Sequence, residues 1–361
     1  MKYAVIPLYI RYIAWHYVKN LVAVLVGLAF AFAAIDYFQH AQRLNVSWNY
    51  KILYLFYKWE QALGLLYPLA VVFALIMTKL HFVKQGTMGI FHAFGFDKRR
   101  LLMPLLMAAG ATYMIFFLLN TTSFAYAGDN ADALLHRQMR AENVEDVFFK
   151  YNDTFVYMKK LDPLHKSMRD ITLFKVEHNR VAYTMHAERA DFDGTRWDAS
   201  DVHVKRHIYD ANGTLLRYVE YDKPHLFTLE GYRPKIIGSL YEGKNMNIAD
   251  ALLTWALLSR QGINTDKIRT ALYELVFLPL FSLALMIILF IKIPYHRRMM
   301  HWGKTVASSL GLTFVVWGVF FGLVQLGKNG VLLPEIAVLF PLFLLWGAAL
   351  YFFFRSDRLD T

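Results

Sequence analysis

FVYM (155–158), ITLFKV (171–176), VAYTMHA (181–187), VHVKRHI (202–208) and LLRYVEY (215–221) are short β-rich runs with partial alternation of apolar and polar residues. Turn signals separate them at Lys150–Asp153, Glu177–Arg180, Asp193-Gly194 and Asn212-Gly213. Eight or so short strands at this spacing predict a sandwich, a jelly roll or an open barrel. The runs lie within a polar segment, 129–266. A short helix is expected at its start, Asp129–Val144, and another near its end, Asn247–Gln261, with Asn247 as N-cap, Asp250 at its third position and Gly262 as C-terminal cap.

Working outward, both flanks of this segment are apolar enough to cross a bilayer, which takes about 20 helical residues. The chain is 57% hydrophobic and only 19% charged, with mean hydropathy +0.30. Three spans precede the polar segment, at about Leu21–Ile35, Leu53–Thr78 and Leu101–Ala127. Three follow it, at about Ala271–Ile291, Thr305–Leu326 and Val331–Phe354. Residues 4–18 mix aromatics with Arg11 and His16 and are expected to lie along the membrane interface before the first span. No small-residue cleavage site follows that span, so it is expected to remain as an anchor. Between the second and third spans, Thr87–Phe96 is too short to cross and reads as a helix ending at Gly95.

Net charge is +11, yet the 129–266 segment holds 19 Lys+Arg against 21 Asp+Glu, a net −2, leaving +13 for the membrane blocks. A nucleic-acid binder would carry its basic stripe on the folded domain, so nucleic acid is not an expected partner. The basic residues instead set topology. With the N-terminus inside, inner segments hold 14 Lys/Arg and the short outer loops hold Arg43, Lys51, Lys58 and Lys328. Both termini are then cytoplasmic and the large domain is outside, which in a double-membrane bacterium is the periplasm.

Familiar chemistry is missing. There is no cysteine, which excludes disulfides, thiolate catalysis and Cys-based metal sites. Gly303-Lys304-Thr305 echoes a phosphate loop, but the required glycine five residues earlier is Arg298. His203 and His207 share a strand with no carboxylate between them and match no zinc signature. No catalytic site, metal or cofactor is expected. Asp36, Glu274 and Glu335 stand near span ends, where interfacial placement or contact with a partner group is expected rather than an ion path. Arg43, Lys58, Arg137 and Arg140 fall near the outer face and could receive anionic headgroups or simply snorkel.

Four stretches carry a resemblance. MGIFHAFGFDKRRLLMP (88–104), NDTFVYMKKLD (152–162), MNIADALLTWALLSRQGINTDKIRTALYELVFLPL (246–280) and NGVLLPEIAVLFPLFLL (329–345) occur in the order found in the lipopolysaccharide export permeases, and the chain resembles that LptF/LptG family along nearly its whole length. The resemblance implies a membrane α+β fold: six transmembrane helices with a periplasmic β-jellyroll-like domain inserted between helices 3 and 4. It implies domains at 1–128, 129–266 and 267–361 in a bacterial inner membrane. It implies a coupling helix carrying Thr87, Met88, Ile90, Phe91, His92, Phe94 and Gly95, and a lipid contact at Arg137, with Arg43 substituting for the basic residues expected on the first span. The implied partners are a homologous permease forming a heterodimer, a cytoplasmic ATPase dimer, a single-span bridge protein and lipopolysaccharide. One departure stands out: the family usually has Glu at the coupling-helix start, where this chain has Thr87. Two other readings compete, a membrane-anchored scaffold or sensor without transport, and a secondary transporter, which mid-span charge would favour.

Overall fold

A computed structural model describes residues 7–41, 47–136, 144–151, 154–162, 165–177, 180–210, 215–232, 234, 237, 246–260, 265–296, 298 and 300–355. These form two compact units. One comprises 1–131, 247–251 and 266–361; the other comprises 132–246 and 252–265. The architecture is membrane α+β: six helices long and apolar enough to span, with an antiparallel sheet inserted between the third and the fourth.

The first unit contains α1 (Leu8–His40), α2 (Trp48–Lys84), the short α3 (Thr87–Ala93) and α4 (Lys98–Leu119). A fourth span is built from α7 (Asp266–Val276), a 3-10 turn at Leu278–Leu280 and α8 (Phe281–Lys292). Then come α9 (Trp302–Lys328) and, after a π-helical turn at Glu335–Leu339, α10 (Phe340–Arg355). Helix α8 is apolar all round, so it belongs inside. Its Ala284–Phe290 run is buried at the centre of a cluster joined by Leu75 of α2 and Leu101 and Leu105 of α4. By contrast, only 17% of the apolar window of α1, and 17% of that of α9, is buried, against 56% in the fourth span. Those two helices stand at the margin of this chain.

Helix α1 corrects one expectation. Of the stretch 4–18 expected to lie along the interface, residues 4–6 fall outside the described residues, and 8–18 do not lie apart but continue the first span as one helix of 33 residues. No Pro or Gly interrupts Leu8–Val26, and Ile13, Tyr17 and Leu21 bury a stripe at helical spacing. The Tyr17 hydroxyl donates to the Val71 carbonyl at 3.0 Å, and the Asn20 amide donates to Thr78 Oγ1 at 2.9 Å. At 1.5 Å per residue such a helix is ~50 Å long, about 20 Å more than the hydrocarbon core. Its first turns therefore project beyond the core.

The second unit is organised by six strands: β1 (Val144–Tyr151), β2 (Thr154–Asp162), β3 (Ser167–Glu177), β4 (Arg180–Phe192), β5 (Trp197–Tyr209) and β6 (Leu215–Thr228). They pair sequentially and antiparallel, β1 to β6. Where eight or so short strands were expected, the described sheet has six longer ones. One face is apolar: Val156 pairs with Leu173, Met158 with Ile171, and Met185 with Val204. Two helices flank the sheet in sequence, α5 (Ala127–His136) and α6 (Ile248–Arg260). As the sequence predicts, Asn247 caps α6, its Oδ1 accepting from the Asp250 amide at 2.6 Å.

The alternation breaks on a single row. Residues 146, 159, 170, 188, 201 and 224 would pair in turn across all six strands, and none does. Asp146, Asp170 and Asp201 on this row have φ of 57°, 55° and 52°. The left-handed conformation is costly for most residues but tolerated by Asp. The row resets the phase. In β5 the buried positions run Trp197, Ala199, then Val202, Val204; in β3 they run Met168, then Ile171, Leu173. One continuous sheet thus buries the same side on both halves while its register is kept across the row.

Candidate functional site

Two regions of the membrane unit hold the residues that sequence reading selected, and they lie at opposite ends of the spans. The first is α3. Gly86 enters it with φ +77°, and it ends in a Schellman motif. Phe96 N donates to Phe91 O at 3.0 Å, Gly95 N donates to His92 O at 2.9 Å, and Gly95 has φ +74°. The Phe96 ring closes on Phe91 at 5.7 Å. The glycine signal in the sequence was therefore correct, and for this reason.

Seven residues make too short a helix to persist alone, so tertiary contacts must hold it. Met88 is buried in the same cluster as α8, and Phe96 packs on Tyr9 of α1 at 4.8 Å. A groove of about 860 Å³ runs beside it, bounded by Leu8, Tyr12 and Trp15 of α1 and by Phe91. The outward side stays bare: Ile90 is 55% and Phe94 77% exposed, and His92 is exposed. Thr87 brings no carboxylate to this surface, while Lys84 and Arg100 are exposed on the segments either side.

Two other cations at this end bond to carbonyls at helix C-termini. Arg99 donates to the Phe353 carbonyl of α10 at 3.0 Å and lies over its ring. Lys79 is fully buried and donates to carbonyls of the α8 end. Sequence reading counted both among topology-setting basic residues and missed these contacts, because the carbonyls lie about 210 to 255 positions away in the chain.

At the far end, Lys58 is 7% exposed and not on open surface. Its Nζ is 3.9 Å from Asp36 Oδ2. Tyr54, itself buried, donates its hydroxyl to Asp36 Oδ1, and His40 Nδ1 lies 3.0 Å from the Asp36 carbonyl. The network ties α1 to α2. Similar pairs tie the later spans. Arg269 bridges Asp266 at 2.5 Å and Glu335 at 2.6 Å, Tyr273 donates to Glu335 at 3.3 Å, and Lys328 meets Glu274 at 2.5 Å. Gly327 lets these helices approach closely, since a Cβ there would come within 2.9 Å of Ala337 Cβ. All three carboxylates singled out near span ends, Asp36, Glu274 and Glu335, are thus paired between helices. Arg43, Arg137 and Arg140 fall outside the described residues, as does Gly262.

In the sheet unit, β6 is an edge strand among the described elements, bonded only to β5. Leu216, Tyr218 and Phe227 on it are 64%, 58% and 52% exposed. His203 and His207 are solvated or locally bonded, to Asp222 and Thr184 respectively. Among the described residues no group of three or more His, Asp or Glu is arranged to hold a metal.

Compared with known families, residues 11–355 match the one described as "Lipopolysaccharide export system permease LptF/LptG". No curated protein sequence matches the chain.

Proposed function

The chain belongs to the lipopolysaccharide export permease family LptF/LptG, a multi-pass membrane protein, and on that premise we propose that it is one permease subunit of an ATP-driven lipopolysaccharide extractor in the bacterial inner membrane. It pairs with a homologous permease, engages a cytoplasmic ATPase dimer through α3, and passes the lipid through its sheet domain to a periplasmic bridge protein. Residues 1–128 and 267–361 form the membrane blocks in this reading, 129–266 is the periplasmic domain, and both termini are cytoplasmic.

The observation that carries it is α3: a short helix between two spans, anchored by Met88 and presenting Ile90 and Phe94 outward. Exposed apolar side chains on a helix this rigidly held suit docking into a partner's groove. Motion of that partner would be transmitted through Met88 and the Tyr9–Phe96 contact to α2 and α1. The lipid cavity would lie between α1, α9 and their counterparts. Val22, Val26 and Phe30 of α1 and Phe314, Val315 and Val319 of α9 are left bare, which supports that reading. Gly311, Gly318 and Gly322 of α9 add open space for another helix to approach. Arg43, Arg137 and Arg140 would meet the lipid's phosphates, where guanidinium geometry fits. Lys58 would act through its pair with Asp36, fixing α1 against α2. Among the described residues β6 bonds only to β5, and its other edge would take strand addition by the bridge protein.

The test is copurification of the ATPase with a variant carrying Met88→Ala, Ile90→Ser and Phe94→Ser. Loss of the ATPase from the purified complex is expected. Retained copurification with unchanged ATP hydrolysis would remove the assignment, and normal surface lipopolysaccharide after depletion would favour a scaffold instead.

A further inference from the structure

Helix α8 ends because of Pro294. An α-helix closes by donating each amide to the carbonyl four residues back, and Pro294 has no N–H to give to Phe290 O. Ile293, forced extended before the proline, has ψ 127° and ends the helix. The Phe290 carbonyl is thereby orphaned in a dry interior, where an unmet acceptor is costly.

Lys79 supplies the missing donor. It lies on α2, is fully buried, and donates from Nζ to Phe290 O and, at 2.6 Å, to Ile293 O. Its ammonium also sits 4.5 Å from the Phe290 ring centre and 4.1 Å from that of Tyr295. Two carbonyls at the C-terminal end of α8 thus accept from Nζ, and two aromatic faces flank it. An apolar side chain could fill the space, but it could not donate to these carbonyls and so bind α8 to α2.

The position matters as much as the chemistry. From Lys79 to the end of α2 at Lys84 is less than two helical turns, and α3 begins at Thr87. On the loop beyond Pro294, His296 faces His92 of α3 with ring centres 6.4 Å apart. The clamp therefore sits between the docking helix and the fourth span.

We propose that Lys79 is a positioning residue that locks the fourth span to α2, so that a stroke delivered at α3 moves the two helices as one body. This rests on α3 being the ATPase contact. Lys79 touches neither ATP nor lipid; it acts through the carbonyls it holds.

The experiment uses the whole complex, permease with its copurifying ATPase, in proteoliposomes containing lipopolysaccharide. The readout is lipid released per ATP hydrolysed. K79M is expected to keep copurification and hydrolysis but to lower this ratio at least about fivefold, the lower end of ordinary coupling factors. K79R, which keeps a cationic donor, is expected to stay near the wild-type ratio. K79M/P294A separates positioning from mere stability, because alanine in place of Pro294 returns an amide to Phe290 O without linking α8 to α2. Thermal stability is expected to recover in that double variant while the ratio stays low. A wild-type ratio in K79M, or a ratio that returns together with stability in K79M/P294A, would overturn the proposal. Failure of the wild-type chain to bring down any ATPase would instead defeat the functional reading beneath it.

Discussion

Replacing Lys58 by Met should destabilise the protein strongly, and replacing Asp36 by Asn at the same time should restore most of the loss. The two groups lie 3.9 Å apart, with side chains only 8% and 17% exposed. At an effective dielectric of about 20, their attraction is ~4 kcal/mol. Removing one partner strands the other charge away from water, which costs about 3–5 kcal/mol for buried pairs. In K58M the Asp36 carboxylate keeps the Tyr54 hydroxyl and, 3.5 Å from Oδ1, His40 Nδ1. In D36N/K58M no charge is stranded, and the Tyr54 hydroxyl can still donate to the Asn amide oxygen. The assay is a double-mutant cycle on the purified chain, with unfolding followed by denaturant titration in detergent. A coupling energy of at least about 2 kcal/mol is expected. If K58M costs less than about 1 kcal/mol, as a solvated surface pair would, or if the two losses simply add, the pair does not hold α1 to α2.

Two further outcomes follow from the sheet unit. Trp197 is fully buried and donates from Nε1 to the Tyr232 carbonyl at 2.6 Å, so Trp197→Ala should cost about 3–5 kcal/mol. It should also raise the susceptibility of this unit to proteolysis in the intact chain; unchanged susceptibility would contradict the packing described. Asp193 opens the β4–β5 turn. Its carboxylate accepts from the Arg196 and Thr195 amides at 2.9 and 2.8 Å, and these bonds hold its pKa down to about 2 from 3.8. A depressed carboxylate stabilises above its unfolded pKa, and that stability is lost as pH falls through the folded value. Exchange protection of the Thr195 and Arg196 amides should therefore fade between pH 3.8 and about 2, and Asp193→Asn should abolish that dependence.

Much of the architecture could be read from the sequence because membrane spans announce themselves by composition. Six apolar runs and one alternating segment leave few alternatives, and Gly95 and Asn247 act through local backbone geometry alone. Three things were hidden. Residues 8–18 look interfacial because Arg11 and His16 interrupt the apolar run, yet the buried stripe Ile13–Tyr17–Leu21 was there at helical spacing and outweighs them. The row that resets the sheet carried a signal too, since Asp146, Asp170 and Asp201 are poor strand residues placed inside strands. Recognising it required knowing the register, which is a long-range property. The commitments of Lys79 and Lys58 are also long-range: a lysine in a hydropathy profile reads as an end marker, and only packing shows whether its charge faces water, a carboxylate or a helix terminus.

The account turns on the claim that this chain extracts lipopolysaccharide at the expense of ATP. The most direct measurement is release of lipopolysaccharide from proteoliposomes containing the native complex purified through this chain. A soluble periplasmic acceptor is supplied outside, with and without ATP. The account predicts transfer that requires ATP and is lost with the Met88, Ile90 and Phe94 substitutions. Transfer that proceeds equally without ATP, or none from a complex that still hydrolyses it, would contradict the account.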